Sequence, residues 1–184
     1  MAFVIVILII SVVIIVALVS TYNGMVQKRN RVDNAWQNID ANLQRRNDLV
    51  PNLVETVKGY AAHEQGVLQA VTEARAAVAG AKTPQEAMEG SEQLTGALRQ
   101  LMAVAEAYPD LKANTSFINL QDQLADTENR LTYARQSYND CVLMYNNAIQ
   151  SFPGNLLAGA GGFTAKDGFT VSDESVRQTP TVKF

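Results

Sequence analysis

The residues best suited to catalysis or metal binding are scarce in this 184-residue chain, which has one histidine, His63, and one cysteine, Cys141. Zinc and iron sites need clustered histidine, cysteine or carboxylate ligands. The pair His63-Glu64 lacks the spacing of a di-iron motif and has no second copy. A nucleophile also needs a base within reach. We therefore expect Cys141 to pack as a small hydrophobic residue and His63 to lie at the surface.

Motifs for cofactor or nucleotide chemistry are also missing. The sequence has no phosphate-binding loop, no dinucleotide fingerprint and no nucleophile elbow. The net charge is -3, and no basic face of the kind that binds nucleic acid is evident. The sequence therefore predicts a non-enzyme with no catalytic residue, no metal, no cofactor and no nucleic-acid partner.

Charged residues on apolar helix stripes are the more informative positions. Arg29 and Arg46 occupy such positions in the first predicted helix, Glu64 in the second, and Arg130 and Arg135 flank the stripe of the fourth. A buried charge is strongly unfavourable unless it is paired. These arginines either meet carboxylates across a bundle and fix its register, reach its edges, or contribute to a ligand or partner site.

Two predicted loops form the natural surface for a partner. The first, 45–48, is expected to end the first helix, and the second, 108–114, is expected to join the third and fourth helices at the same distal end. The candidate partner residues are Arg45, Arg46, Asp48, Tyr108, Asp110 and Lys112.

An apolar run at residues 2–19 precedes these elements, and Lys28 is the first charged side chain. A helix of this run is about 27 Å long, close to a hydrocarbon core of about 30 Å. A cleaved signal peptide is disfavoured, because the basic start and the small-residue cleavage site are missing. A lipoprotein anchor is disfavoured because the only cysteine is Cys141. The run predicts an uncleaved transmembrane anchor over 1–21, with the lipid bilayer as a partner.

Apolar residues spaced three and four apart predict about four long helices after the anchor. The first continues from the anchor to about residue 47, and the others cover about 49–79, 84–107 and 117–152. Short connections between them predict an all-α antiparallel bundle over 22–153. The fourth helix has an unbroken, coiled-coil-like stripe, formed by Phe117, Leu120, Leu124, Thr127, Leu131, Ala134, Tyr138, Cys141, Tyr145, Ala148 and Phe152.

The composition changes after the bundle. Residues 154–184 are rich in glycine and have no helical period, so we expect a partly flexible tail. Phe163 and Phe169 are its candidate contact residues, because aromatic side chains in a flexible segment are plausible docking points on a neighbouring copy.

Long motifs in this chain resemble those of the LemA family. The motifs include Ala35-Trp36, Arg45-Arg46-x-Asp48-Leu49-Val50-Pro51-Asn52-Leu53, His63-Glu64, Ala105-Glu106-Ala107-Tyr108-Pro109-Asp110-Leu111, Thr127-Glu128-Asn129-Arg130, Tyr138-Asn139, Tyr145-Asn146, Phe152-Pro153 and Pro180-x-Val182-x-Phe184. The resemblance implies an N-terminally anchored bundle of long antiparallel helices, and it implies no catalytic activity. Some members belong to magnetosome membranes, which favours a membrane-organising role.

Two features point to opposite sides of the membrane for the bundle. Lys28, Arg29 and Arg31 follow the anchor and favour a cytoplasmic bundle by the positive-inside rule. Some family members carry lipoprotein signals, which implies a bundle outside the cytoplasm.

The sequence thus predicts a membrane-anchored, non-enzymatic scaffold or adaptor that forms a homo-oligomer or binds partner proteins. The alternative is a sensor or accessory subunit that binds a ligand or peptide at the distal loops.

Overall fold

The computed structural model describes residues 1–169, most of which are helical. The helices are α1 (Ala2–Lys58), α2 (Gln65–Gly80), α3 (Pro84–Ala105), α4 (Pro109–Lys112), α5 (Thr115–Gln150) and α6 (Gly154–Ala158). The described residues contain no β-strand. The predicted all-α fold, with four long helices and an apolar N-terminal helix, is confirmed.

Two compact units share the two longest helices. One contains residues 1–28 together with the chain from residue 139 onward, and the other contains residues 29–138. We call them the terminal unit and the central unit. Both α1 and α5 continue across the unit boundaries. The division into 1–21, 22–153 and 154–184 follows composition and stays a prediction.

Helix α1 is longer than the sequence predicted, because it continues past residue 47 and through Pro51 to Lys58. Proline lacks the N–H that would bond to the carbonyl of Asn47 one turn earlier. That carbonyl instead accepts a hydrogen bond from Arg75 Nε of α2, at 3.1 Å. The predicted corner at 45–48 was therefore wrong. The chain turns at residues 59–64 instead, and α2 begins at Gln65.

The first part of α1 has a different surface from the rest. Its apolar side chains over residues 3–16 are all exposed within the chain, and its length and composition suffice to cross a bilayer. A signal sequence near an N-terminus satisfies the same criteria. Later in α1 the apolar residues are spaced along one face and are buried, among them Val32, Ile39, Val50 and Val57.

The central unit has a continuous core in which α2 packs against α3. The contact is close at Gly90, where an added Cβ would lie 3.0 Å from the backbone nitrogen of Val78. The predicted start of α3 is confirmed. Thr83 Oγ1 accepts the Glu86 N–H at 3.2 Å, and the Glu86 carboxylate accepts the Lys82 N–H at 2.7 Å.

The stripe of α5 is buried as predicted over most of its length, with Leu131 fully buried. The prediction fails at the end, where Phe152 is 80% exposed. Because α5 ends at Gln150, Phe152 lies beyond the helix and does not follow its stripe. Ile149 is the last buried apolar residue of α5 instead. Cys141 lies half-buried on the stripe rather than fully within a core.

Candidate functional site

Arg46 is not a surface residue but the centre of a buried polar cluster in the central unit. We define the Arg46 cluster as Arg46 on α1, Ser91 and Thr95 on α3, and Glu128 and Arg135 on α5. Arg46 is only 4% exposed. Its Nη1 donates to Thr95 Oγ1 at 2.9 Å and to Ser91 Oγ at 3.3 Å, and its Nη2 lies 2.9 Å from Glu128 Oε2. An ion pair with a carboxylate across the bundle, one of the expected arrangements, is present for this arginine.

The cluster contains two guanidinium groups and one carboxylate. Burial lowers the pKa of Arg46, the Glu128 carboxylate opposes this effect, and Arg135 lowers that pKa further. Arg135 also donates to Ser91 Oγ at 3.4 Å. The Nε groups of both arginines are buried and have no hydrogen-bond partner among the described residues. The cluster therefore joins three helices.

The neighbouring candidates Arg45 and Asp48 are exposed on α1. Arg45 lies 4.0 Å from Asp126, which also binds Arg130 Nε at 2.8 Å. Since α1 continues to Lys58, these residues lie about 15–20 Å along the helix from its end. They do not reach the loop at 108–114, so the six candidates do not form one surface at a single end of the bundle.

The loop that meets 108–114 is instead the turn at 59–64. Tyr108 Oη donates to Glu64 Oε1 at 3.2 Å, and Asn114 Nδ2 donates to Tyr60 Oη at 3.0 Å. Partial desolvation raises the pKa of Tyr108, and the Glu64 carboxylate raises it further. The candidate residues Asp110 and Lys112 are exposed here, and Lys112 pairs with Glu106.

The two residues with catalytic side-chain types belong to different units. His63 is exposed in the turn after α1, as expected, and Cys141 is half-buried on α5. Within residues 1–169, no three histidine, cysteine or carboxylate side chains are grouped to hold a metal ion.

A cleft of about 310 Å³ lies between α1 and the connection from α2 to α3. Trp36, Asp40 and Asn47 line it from α1, and Lys82 and Thr83 line it from the connection. Asn47 Oδ1 is buried and accepts no hydrogen bond from a described residue. Gln44 Nε2 donates to Asp40 at 3.0 Å. The cleft is concave and partly polar, and local sequence patterns do not predict it because its walls come from separate elements.

The terminal unit contains a second polar arrangement, which binds the C-terminal segment, residues 163–169. Asn146 donates from Nδ2 to the Lys166 carbonyl at 2.8 Å and accepts the Lys166 N–H on Oδ1 at 3.0 Å. Asn139 makes the same pair of bonds with Phe169, at 2.8 and 2.7 Å. Tyr145 Oη donates to the Thr164 carbonyl at 2.9 Å. We call Asn139, Tyr145 and Asn146 the asparagine ladder.

The spacing of the ladder explains the conformation of the segment. Asn139 and Asn146 are seven residues apart on α5, about 10.5 Å along the helix. Lys166 and Phe169 are three residues apart, and three residues span about 10 Å only when the chain is nearly extended. Each asparagine amide therefore offers one donor and one acceptor to an extended backbone, as a neighbouring strand would.

The two aromatic candidates of the tail contact their own chain. Phe163 is buried, and its ring packs edge-on against Tyr22 of α1 with centroids 5.4 Å apart. Phe169 is half-buried and bonded to Asn139 through its backbone. The expectation that these two residues contact a neighbouring copy stays a prediction. The part of the tail after residue 169 lies outside the described residues.

A family model for the LemA family matches residues 35–184, well over half of the chain. The chain belongs to the LemA family. The matched region contains both the Arg46 cluster and the asparagine ladder. The family resemblance of the sequence motifs is confirmed.

Curated relatives resemble this LemA-family chain over most of its length. Magnetosome protein MamQ 2 of Paramagnetospirillum magneticum is 27% identical over 95% of this chain and 75% of the relative. Magnetosome protein MamQ of Magnetospirillum gryphiswaldense is 28% identical over 84% of this chain and 68% of the relative. Protein LemA of Metamycoplasma hominis is 24% identical over 74% of this chain and 63% of the relative.

Sequence reasoning missed the asparagine ladder in this LemA-family protein, although a signal was present. The dipeptide Tyr-Asn occurs at 138–139 and again at 145–146, seven residues later. That spacing places both asparagines on one helix face. Polar residues repeated on one face indicate a partner for that face, but they do not identify the partner as the chain's own tail.

Proposed function

We propose that this LemA-family protein is a membrane-anchored, non-enzymatic scaffold or adaptor that self-associates or binds partner proteins at the membrane. One observation carries the proposal: α1 joins an exposed, membrane-length apolar stretch to a buried stripe of the helical bundle without a break. A continuous helix between anchor and bundle fixes the bundle to the bilayer. Assembly at a membrane surface benefits from this, because anchored copies are concentrated in two dimensions.

The use of polar side chains supports a structural role. The buried arginine binds a carboxylate and two hydroxyl groups of its own bundle, and the asparagine ladder binds its own backbone. Relatives named as magnetosome proteins support a role in organising a membrane compartment.

Anchoring is tested by placing charges in the apolar stretch. We expect Val12→Lys combined with Ile15→Lys to abolish flotation of the full chain with liposomes, because a lysine near the bilayer centre costs about 2.5–3.5 kcal/mol on insertion scales. The matched control is Asn34→Lys combined with Gln37→Lys, at exposed polar positions of the same helix. Flotation of both variants alike would contradict anchoring by this stretch.

Self-association is tested by the mass of the full chain in detergent at micromolar concentration. We expect a homo-oligomer that is weakened when residues 154–184 are removed. A monomer at all concentrations would contradict self-association and leave a monomeric adaptor.

We place the bundle in the cytoplasm, because Lys28, Arg29 and Arg31 follow the apolar stretch. Tyr133 is 73% exposed and suits a reporter cysteine in a Cys141→Ser background. An impermeant thiol reagent is expected to label Tyr133→Cys only after lysis. Labelling of intact cells would place the bundle outside.

The second candidate function is that of a sensor or accessory subunit. The cleft beside Trp36 and Asp40 favours it, because the unbonded Asn47 Oδ1 is an available acceptor for a ligand. A small ligand that raises the melting temperature of the wild type but not of Asp40→Asn would support this function. The distal loops, the site predicted for that role, stay a prediction.

A further inference from the structure

The asparagine ladder binds main-chain groups of the C-terminal segment. The five hydrogen bonds end on the carbonyl of Thr164 and on the backbone groups of Lys166 and Phe169. Phe163 adds a side-chain contact with Tyr22. Both halves of this site belong to the terminal unit. Any chain that presents the same segment in the same direction satisfies it.

The connection before the segment favours a change of direction. Three of the four residues at 159–162 are glycine. Gly162 has a φ of +67°, a conformation that residues with a side chain rarely adopt. Rotation at these residues would move the segment away from its own α5 and would break the bond from the Phe163 N–H to the Ala158 carbonyl, while the hydrogen bonds within α5 remain.

Docking of the segment on its own chain and docking on a neighbouring chain should differ little in free energy. A segment supplied by a second copy makes the same hydrogen bonds and the same ring contact, so exchange costs few contacts. The remaining difference is the effective concentration at the ladder, which is not the same for the chain's own segment and for the segment of a second copy. A short flexible connection gives a millimolar effective concentration, and anchoring in one membrane raises the local concentration of neighbours. Dense packing of copies therefore favours exchange.

We propose that the C-terminal segment of one copy docks on the asparagine ladder of a neighbouring copy, and that this exchange links LemA-family chains at the membrane. The proposal deepens the self-association proposed above and rests on it. The partner is a second copy of this chain, recognised by an extended backbone with Phe163 at its start.

The test uses two differently tagged full-length chains, co-expressed and reconstituted in liposomes, both with Cys141→Ser. One chain carries Asn147→Cys, next to the ladder, and the other carries Ala165→Cys, next to Lys166. Both positions are exposed. A short bismaleimide links these thiols only if the segment of one chain lies on α5 of the other. A single chain that carries both cysteines reports docking of the segment on its own α5.

We expect a heterodimeric cross-link that increases severalfold as the protein-to-lipid ratio rises. Adding Asn139→Ala and Asn146→Ala to the Asn147→Cys chain is expected to reduce it at least tenfold. The matched control is Asn155→Ala, an exposed asparagine of α6, which is expected to leave the yield unchanged.

Cross-linking confined to the chain with both cysteines, at every density, would overturn the exchange. A heterodimer that persists without the ladder asparagines would also overturn it, because proximity alone would then explain the link. The mass measurement separates the two proposals. Oligomers without a heterodimeric link leave self-association intact and reject exchange, whereas monomers reject both.

Discussion

The central unit and the terminal unit both bury apolar side chains, but they differ in the polar interactions that join their parts. The central unit buries apolar stripes around Leu53, Leu101 and Leu131, with one buried ion pair at Arg46. The terminal unit binds an extended segment to α5 through asparagine amides. Burial of apolar area is non-directional, whereas amide bonds need matched geometry. The stability of the central unit should therefore depend on side-chain volume, and docking in the terminal unit on two amide groups.

The largest expected effect tests whether the stability of the central unit depends on the volume of its buried side chains. Leu131 is fully buried in the central unit, whereas Leu143 is 60% exposed on the same helix. We expect Leu131→Ala to lower the free energy of unfolding by roughly 2–5 kcal/mol, because it removes buried methyl groups and leaves a cavity. Leu143→Ala is expected to change it by less than about 0.5 kcal/mol. Equal chemical-denaturation midpoints for the two variants would contradict the assigned register.

The next effect tests whether the buried ion pair stabilises the central unit. We expect Arg46→Met to destabilise it by about 3 kcal/mol, at the low end for breaking a buried pair, because the Glu128 side chain is 37% exposed. Arg45→Met is the matched control, since Arg45 is half-exposed, and its loss should cost at most about 1 kcal/mol. Adding Glu128→Gln to Arg46→Met should recover part of the loss. Similar losses of stability for Arg46→Met and Arg45→Met would show that the buried ion pair contributes no more than an exposed one.

A smaller effect tests how closely α2 and α3 approach. An added Cβ at Gly90 would meet the α2 backbone at 3.0–3.2 Å, whereas Gly96 on the same helix has open space. We expect Gly90→Ala to destabilise by about 1–3 kcal/mol through overpacking. Gly96→Ala is expected to stabilise by up to about 1 kcal/mol through helix propensity. Thermal melts of both variants measure the contrast, and stabilisation by Gly90→Ala would place the helices farther apart.

The smallest effect concerns pH. Since the folded-state pKa of Tyr108 is raised, the folded state retains the phenol proton more strongly, and the associated stability is complete below the unfolded pKa of about 10. It is lost as the pH rises above that value. Tyr108→Phe should therefore reduce the loss of stability between neutral and strongly alkaline pH. Identical pH profiles for Tyr108→Phe and the wild type would contradict the raised pKa.

Sequence patterns predicted the regular parts of the central unit. The stripe containing Leu131 and the cap at Thr83 follow from local spacing, and both are present. The predicted helix end near residue 47 is wrong, because α1 accommodates Pro51 in its interior. The decisive partner of the freed Asn47 carbonyl, Arg75, lies 28 residues later.

The candidate site was only partly predictable for a similar reason. The pairing of Arg46 with a carboxylate follows from the cost of burying a charge, but its identity, Glu128, depends on the packing of α1 against α5. The asparagine ladder uses main-chain groups of 164–169. Every residue other than proline has such groups, so the composition of the segment does not indicate which of them are bound.

Hydrogen exchange of the backbone N–H groups of Lys166 and Phe169, in the full chain in a bilayer mimic, tests most directly whether asparagine amides hold the terminal unit. Both groups donate to asparagine oxygens. We predict slow exchange in the wild type, whether the segment docks on its own chain or on a neighbour. In Asn139→Ala combined with Asn146→Ala, both groups should exchange rapidly while the core around Leu131 stays protected. Rapid exchange of both groups in the wild type would contradict the role assigned to the ladder.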